Sequence, residues 1–200
     1  GDYGAAEEEL AVAMRLDPDS VDVMQEAARL HFMLKRYEKA AASWDRDATL
    51  VETDIASGGL LITCYTALGD RANVKRVAQR TMARAEKAVA TDADNGSAMA
   101  TIFSCLLCLG EAERAKEWAR RAVLIDPDNL GMRYNLACDF VVAVHDHDMA
   151  LEMLRPVCRN SGHEQIAWIA ADPDMDPLRD DPRFKELVAE AEARLATARP

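Results

Sequence analysis

Three short phrases in the chain share one pattern, a helix-like run that ends in Asp-Pro or Asp-Ala and is followed by an acidic or amide residue able to cap the next helix. They are AMRLDPDS (13–20), AVATDADN (88–95) and AVLIDPDNL (122–130). Ala93 and Pro127 are 34 residues apart, whereas Pro18 and Ala93 are 75 apart, which is twice 34 plus seven. Seven residues make about two turns at roughly 3.6 residues per turn, so this insertion lengthens a helix and keeps its buried face almost in register. The spacing therefore predicts a repeat of 34 residues.

The composition favours closely packed helices and argues against several function classes. Half of the 200 residues are apolar but only 6% are aromatic, a balance typical of helices that pack through alanine. The net charge of −11 disfavours nucleic acid and anionic membranes as partners. No apolar run approaches the roughly twenty residues of a membrane span, and no targeting segment is visible. The five cysteines are irregularly spaced, which argues against a disulfide framework and favours a cytoplasmic location.

Small residues recur where two helices would have to approach within about 8–10 Å of each other. Ala28 and Ala40 occupy such places in one repeat, and Ala115, Ala119 and Ala122 in another. This pattern at this period resembles the tetratricopeptide repeat (TPR), and the ankyrin phrase TPLH is absent. The resemblance implies an all-α fold, a right-handed superhelix of antiparallel helix pairs in which neighbouring units bury each other's apolar faces.

We divide the chain into a TPR-like array over residues 1–158 and a C-terminal capping segment and helix over 159–200. In the last unit, Ala150 falls one place late, so the preceding turn HDHD (145–148) carries an extra residue. In the capping helix, Asp181 can cap the start, and one face carries Phe184, Leu187, Val188, Ala191 and Leu195. The units of the array are a partial first unit 1–20, then 21–54, 55–95 with an elongated second helix, 96–129 and 130–158.

Three longer segments make a narrower resemblance. They are RAEKAVATDADNGSAMA (84–100), AERAKEWARRAVLIDPDNLGMRYNLAC (112–138) and DPDMDPLRDDPRF (172–184). They resemble the C-terminal TPR region of bacterial signalling proteins, notably class III adenylate or guanylate cyclases, and also of some winged-helix transcriptional activators. Gly1 falls at the turn inside a unit, so we expect the chain to be a fragment. The resemblance implies that any cyclase chemistry lies upstream of it.

No catalytic site is visible, and we predict no enzyme activity, no cofactor and no metal in this chain. CLLC (105–108) has the spacing of redox and zinc sites, but Cys64 shares the repeat place of Cys105, which indicates core packing. HDHD (145–148) could hold a divalent cation, but a solvated turn is the preferred interpretation. The acidic run from Asp172 to Asp181 lacks the spacing of a calcium-binding loop and is interpreted as helix stops and caps.

The first helix of each unit would line a concave groove, which we expect to bind a protein or peptide, or other domains of the parent chain. The groove should become more apolar toward its C-terminal half, which suits an apolar helix or extended peptide. An alternative function is a sensory domain that binds a small ligand or metal. A homodimer is a further candidate, formed through an apolar edge at Leu10, Val12 and Met14. The candidate groove residues are Gln25, Arg29, Phe32, Met33, Thr63, Ser104, Leu107, Tyr134 and Val141.

Overall fold

The computed structural model describes residues 3–50 and 55–197, with the side chains of 47–50 excepted. The predicted boundaries at Gly1, Asp54 and Pro200 lie outside the described residues. The chain divides into two compact units, the first reaching Lys87 and the second beginning at Ala88. The helices are α1 (Tyr3–Leu16), α2 (Val21–Met33), α3 (Tyr37–Leu50), α4 (Ala56–Ala67), α5 (Arg71–Thr91), α6 (Gly96–Cys108), α7 (Ala112–Ile125), α8 (Leu130–Asp139), α9 (His147–Asn160), α10 (His163–Ala171) and α11 (Pro182–Thr197).

Successive helices pack as pairs, and small residues lie where the pairs touch. In the first compact unit, which ends at Lys87, α2 packs against α3. Ala28 and Ala40 are both fully buried there. Trp44 fills the space beside them, with its ring 5.8 Å from that of Phe32 in an edge-to-face arrangement. Side chains without bulk let two helix axes approach closely, and the aromatic pair then fills the remaining volume. The predicted all-α architecture of helix pairs is confirmed.

The turns between the two helices of a pair share one backbone feature that recurs with the repeat period. Each has one residue in the left-handed region, with φ of 55° at Lys35, 70° at Gly69, 81° at Gly110 and 59° at His145. These positions are spaced by 34, 41 and 35 residues. The second interval contains the predicted insertion of seven residues, and the third contains one extra residue. Only glycine adopts the left-handed conformation without cost, yet Lys35 and His145 adopt it at the same place in the turn.

The two irregular intervals have different structural solutions. The insertion of seven residues lies in α5, which has 21 residues against 14 in α7, as the sequence predicts. The single extra residue is accommodated by a π-helical turn, Phe140–Val144, which follows α8 directly. A π turn takes up one residue more than an α turn, so it absorbs the insertion without breaking the helix.

The helix starts of the second unit are capped as the repeated phrases predict. Asn95 accepts a hydrogen bond from the amide of Ala98 at 2.9 Å, and Asn129 accepts one from Met132 at 2.9 Å. In the first phrase the cap of α2 is Ser20, which accepts from Val23 at 3.4 Å, and not the preceding acidic residue. A short hydroxyl or amide side chain satisfies an amide that has no partner within its own helix.

The closing segment packs onto the end of the repeats. After α10, a 3₁₀ segment, Pro173–Leu178, leads to α11, which packs against α9 and α10. Asp181 accepts a hydrogen bond from the amide of Arg183 at 2.8 Å, so it caps α11 as predicted. The predicted division near residue 158 stays a prediction. It falls inside α9, which ends at Asn160. Four residues of the predicted face are buried, Phe184, Leu187, Ala191 and Leu195, and Val188 is half-buried.

Among the described residues, none of the helices combines the length and the apolar character that crossing a membrane requires.

Candidate functional site

The candidate groove residues of the first unit lie on α2 and α4, and most of them reach the surface. Gln25, Met33 and Thr63 are half-buried. Arg29 is exposed, with its Nε atom 3.7 Å from a carboxylate oxygen of Glu26 on the same helix. These first-helix faces therefore offer polar and flexible apolar side chains to the solvent.

Three candidate groove residues are core residues, and we correct their assignment. Phe32 is fully buried between Tyr37 and Trp44. Val141 is fully buried because it belongs to the π-helical turn, where the extra residue changes the direction of the side chains. Tyr134 is 8% exposed, and its hydroxyl donates inward to Asp172.

Ser104 and Leu107 are half-buried on α6, beside a carboxyl group that the sequence interpretation passed over. The Ser104 hydroxyl donates to Asp139 at the end of α8, and its oxygen also lies 3.1 Å from the carbonyl oxygen of Ala100. Burial raises the pKa of Asp139 to about 7, against a smaller lowering by the bond from Ser104. The expectation of a more apolar surface in the C-terminal half is therefore wrong at this place.

A thiol and two carboxylates meet next to Asp139. One ligand atom each of Cys138, Asp172 and Asp174 lies within 4.8 Å of the other two. Cys138 lies at the end of α8, whereas the two aspartates begin the 3₁₀ segment. Asp172 is 2% exposed and caps that segment by accepting from the amide of Asp174 at 2.9 Å.

Like charges and burial together disfavour ionisation in this cluster. Burial raises the pKa of Asp172 to about 6. The pKa of Asp174 is raised well above its usual range by burial first and then by the charges of Asp172 and Asp139. Burial, followed by the charges of Asp174 and Asp139, also raises the pKa of the Cys138 thiol. Such an arrangement favours either bound protons or a cation.

Sequence reasoning missed this cluster because its members come from two separate elements. The interpretation of DPDMDPLRDD as helix stops and caps considered the aspartates alone, and is correct for the capping residues Asp172 and Asp181. Cys138 lies 34 residues before Asp172. No spacing within either segment shows that the fold brings the thiol to the carboxylates.

A second polar network lies within the first unit. Asp45 accepts hydrogen bonds from Tyr65, from Arg76 at 2.8 Å and from Arg80 at 3.2 Å. Burial acts to raise the pKa of Asp45, but these hydrogen bonds and the charge of Arg76 outweigh it and lower the pKa. Burial and the bond to Asp45 raise the pKa of Tyr65 to about 12. These hydrogen bonds join α3, α4 and α5.

The remaining sequence candidates have structural roles. Cys105 is buried and Cys108 is half-buried, and burial raises the pKa of Cys108 to about 11, so its thiol is a poor nucleophile at neutral pH. In the HDHD turn, His145 is exposed and Asp146 caps α9 by accepting from Met149 at 3.0 Å. Asp148 pairs with Arg183 at 2.6 Å. The turn is thus tied to the adjoining helices.

No family model matches the chain, and no curated protein matches it. A solved TPR protein of Thermus thermophilus, TTC0263, is similar with a TM-score of 0.53 at 17% identity, over 96% of this chain and 91% of that one. MamA is similar with a TM-score of 0.48 at 15% identity, over 85% and 86%. YrrB, a TPR protein with an unusual peptide-binding site, has a TM-score of 0.46 at 16% identity, over 96% and 84%. The helix pairs and the similarity to TTC0263 define a TPR fold.

Proposed function

We propose that the chain is a non-catalytic module that binds a peptide segment of a partner protein, or of another domain of its parent, on its first-helix faces. The observation that carries the proposal is that first-helix side chains not used in the core stay accessible in both units. Arg29 and Thr63 do so in the first unit, and Ser104 and Leu107 in the second. Stacked helix pairs with such a face suit the capture of an extended or helical peptide.

Display of random peptides, followed by affinity measurement on the enriched sequence, tests this proposal. Leu107→Glu should weaken binding by at least about ten-fold, because a half-buried contact leucine becomes a charge. Leu124→Glu is the matched control, since Leu124 lies on the second helix α7 and is 82% exposed. Arg29→Glu tests the first unit in the same way. Affinity that no first-helix variant changes would refute the assignment of this face.

The chemistry around Leu107 favours a neutral or basic peptide. Asp139 lies beside Ser104 on the adjoining first helix, and the whole chain carries a net charge of −11. Above the raised pKa of Asp139, about 7, an acidic peptide would meet repulsion at this face. Enrichment of acidic sequences by display would contradict this part of the proposal.

The narrower resemblance supports a place for the module in a bacterial signalling protein of the cytoplasm, such as a class III cyclase that it regulates. Any cyclase chemistry then belongs to a domain outside this chain. The reading frame of the gene upstream of Gly1 tests the idea. A cyclase domain there would support it, and a DNA-binding domain would favour the alternative of a transcriptional activator.

We also propose self-association through α1. No residue of this helix is buried, and Val12 and Met14 are 43% and 37% exposed, while Leu10 is half-buried. A second copy covering these side chains would remove apolar surface from water. Light scattering should give the mass of a dimer, and Val12→Glu should shift it to a monomer. A monomer in the unaltered chain refutes the idea.

A further inference from the structure

Cys138, Asp172 and Asp174 already lie close to the separation that one metal ion requires. One ligand atom from each lies within 4.8 Å of the others. Sulfur and oxygen ligands of a zinc ion lie about 2.3 Å and 2.0–2.2 Å from the metal, so two ligands of one ion are at most about 4.5 Å apart. Small side-chain rotations would bring the three atoms onto a single ion.

One of the two carboxylates has no partner. Within the described part of the chain, no donor bonds the side chain of Asp174, whose amide donates to Asp172. Protein surrounds the carboxyl group on most sides, while the residue keeps some contact with solvent. A carboxylate in such surroundings is costly without a donor or a cation. The solvent contact leaves a way for a cation to enter.

The other carboxylate is held in place. The Tyr134 hydroxyl donates to one oxygen of Asp172 and the amide of Asp174 donates to the other, the latter at 2.9 Å. Hydrogen bonds of this kind orient the ligands of metal sites and are part of what sets metal affinity. The hydrogen bond that orients Asp172 explains why Tyr134, which we expected in the groove, is buried.

The neighbouring cation does not occupy the space between the three groups. Arg179 donates to Asp176 at 2.7 Å, to the carbonyl of Asp172 at 2.9 Å and to the carbonyl of Ala170. Its charge acts on Asp172 from there, but its hydrogen bonds are directed to Asp176 and to the backbone. The thiol and the carboxylate of Asp174 therefore keep their ligand atoms available.

We propose that Cys138, Asp172 and Asp174 bind a divalent cation of the zinc type, with water completing the coordination. A thiolate ligand selects Zn²⁺ and similar ions over Mg²⁺ and Ca²⁺, which take six or more oxygen ligands. This site differs from the HDHD turn in drawing its ligands from two elements of the second unit. It goes beyond the proposed peptide binding and does not depend on it.

Titration of the reduced, metal-free chain with Co²⁺ tests the proposal. We expect a thiolate-to-cobalt charge-transfer band that saturates at one ion per chain and disappears when Zn²⁺ is added. Cys138→Ser should abolish the band. Asp174→Asn and Tyr134→Phe should each weaken Co²⁺ affinity by about ten-fold or more. The first removes a ligand, and the second removes the hydrogen bond that orients Asp172.

Two matched variants distinguish this site from other side chains of the chain that could bind a metal ion. Cys108→Ser removes a half-buried cysteine of the same unit and should leave the band unchanged. His145→Gln removes an imidazole of the turn and should leave it unchanged as well. Absence of the band in the unaltered chain, or a band that persists in Cys138→Ser, overturns the proposal. Should Cys138→Ser fail to fold by circular dichroism, the isosteric Asp174→Asn decides, and unchanged Co²⁺ affinity there overturns the proposal equally.

Discussion

Gly58 and Gly59 are neighbours in α4, and alanine at each is expected to change the free energy of unfolding in opposite directions. A Cβ atom on Gly58 would meet three side-chain atoms of Thr81 on α5, with the Cβ of Thr81 at 2.9 Å. Thr81 is 2% exposed and branched at Cβ, so it has little room to turn away. A Cβ atom on Gly59 would meet nothing within 4 Å.

The magnitudes follow from two effects. Alanine gains about 1 kcal/mol over glycine inside a helix, and Gly59→Ala should gain about 0.5–1 kcal/mol of stability by this effect alone. At Gly58 the same gain is opposed by overpacking, which costs about 1–3 kcal/mol. Since Thr81 is fixed, the cost should lie near the upper end, for a net loss of about 1–2 kcal/mol. The two variants should therefore differ by about 1.5–3 kcal/mol.

Urea unfolding followed by circular dichroism gives both free energies, and a double-mutant cycle tests the cause. Thr81→Ala removes two of the three atoms that the new methyl group would meet, the hydroxyl oxygen and the γ-methyl carbon. It should therefore cost less in the Gly58→Ala background than in the unaltered chain. The expected coupling is at least about 1 kcal/mol. If Gly58→Ala were as stable as Gly59→Ala, or if the cycle showed no coupling, the close approach of α4 and α5 would be refuted.

Three further predictions use the same unfolding assay. Trp44→Ala should lower the free energy of unfolding by about 3–5 kcal/mol, because it leaves a cavity in the core. Leu124→Ala on the surface should change it by less than about 0.5 kcal/mol. Equal effects of the two substitutions would contradict the described core. Lys35→Gly should gain about 1 kcal/mol by removing a left-handed non-glycine residue, and a loss would contradict its positive φ. Because the folded-state pKa of Asp45 is lowered, its contribution is present above the unfolded pKa of about 3.9 and is lost as the pH falls through the folded value. Asp45→Asn should flatten this acid dependence, and an unchanged pH profile would contradict the network.

The fold was accessible from the sequence because its strongest signals are local and periodic. A cap such as Asn129 and a small residue such as Ala28 each act within one turn or one helix pair. Repetition of these local signals fixes the period, and the surplus of seven residues then has to lie in a helix. The sequence predicted the extra residue in the HDHD turn (145–148), and this placement is wrong, because the residue precedes His145 and is absorbed by a π-helical turn. In that turn Phe140 packs against Phe103 of α6, with ring centroids 5.4 Å apart, a contact between separate helices that the local pattern does not contain.

The candidate groove was only partly predictable, since a repeat position tells which helix a residue belongs to but not how deeply it is buried. Arg29 and Ser104 reach the surface at their repeat places. Phe32 occupies a comparable first-helix place and is buried because Trp44 and Tyr37 surround it. The distinction comes from the bulk of residues on the following helix. A pattern read along a single helix does not contain it.

The cluster at Cys138 lies where the repeat pattern ends, and the physics of stacking explains why. Inside an array, each repeat covers the next with another helix pair, so a buried carboxylate there needs partners from the neighbouring helices, as Asp45 has in Arg76 and Arg80. The last unit is followed by a segment that is free of the 34-residue pattern, so Asp172 can bring a polar turn against the end of α8. Tyr134 donates a hydrogen bond to this turn. The end of an array thus gives room for a polar turn that brings a thiol and carboxylates together, and departures from the repeat are the places where such chemistry should be sought.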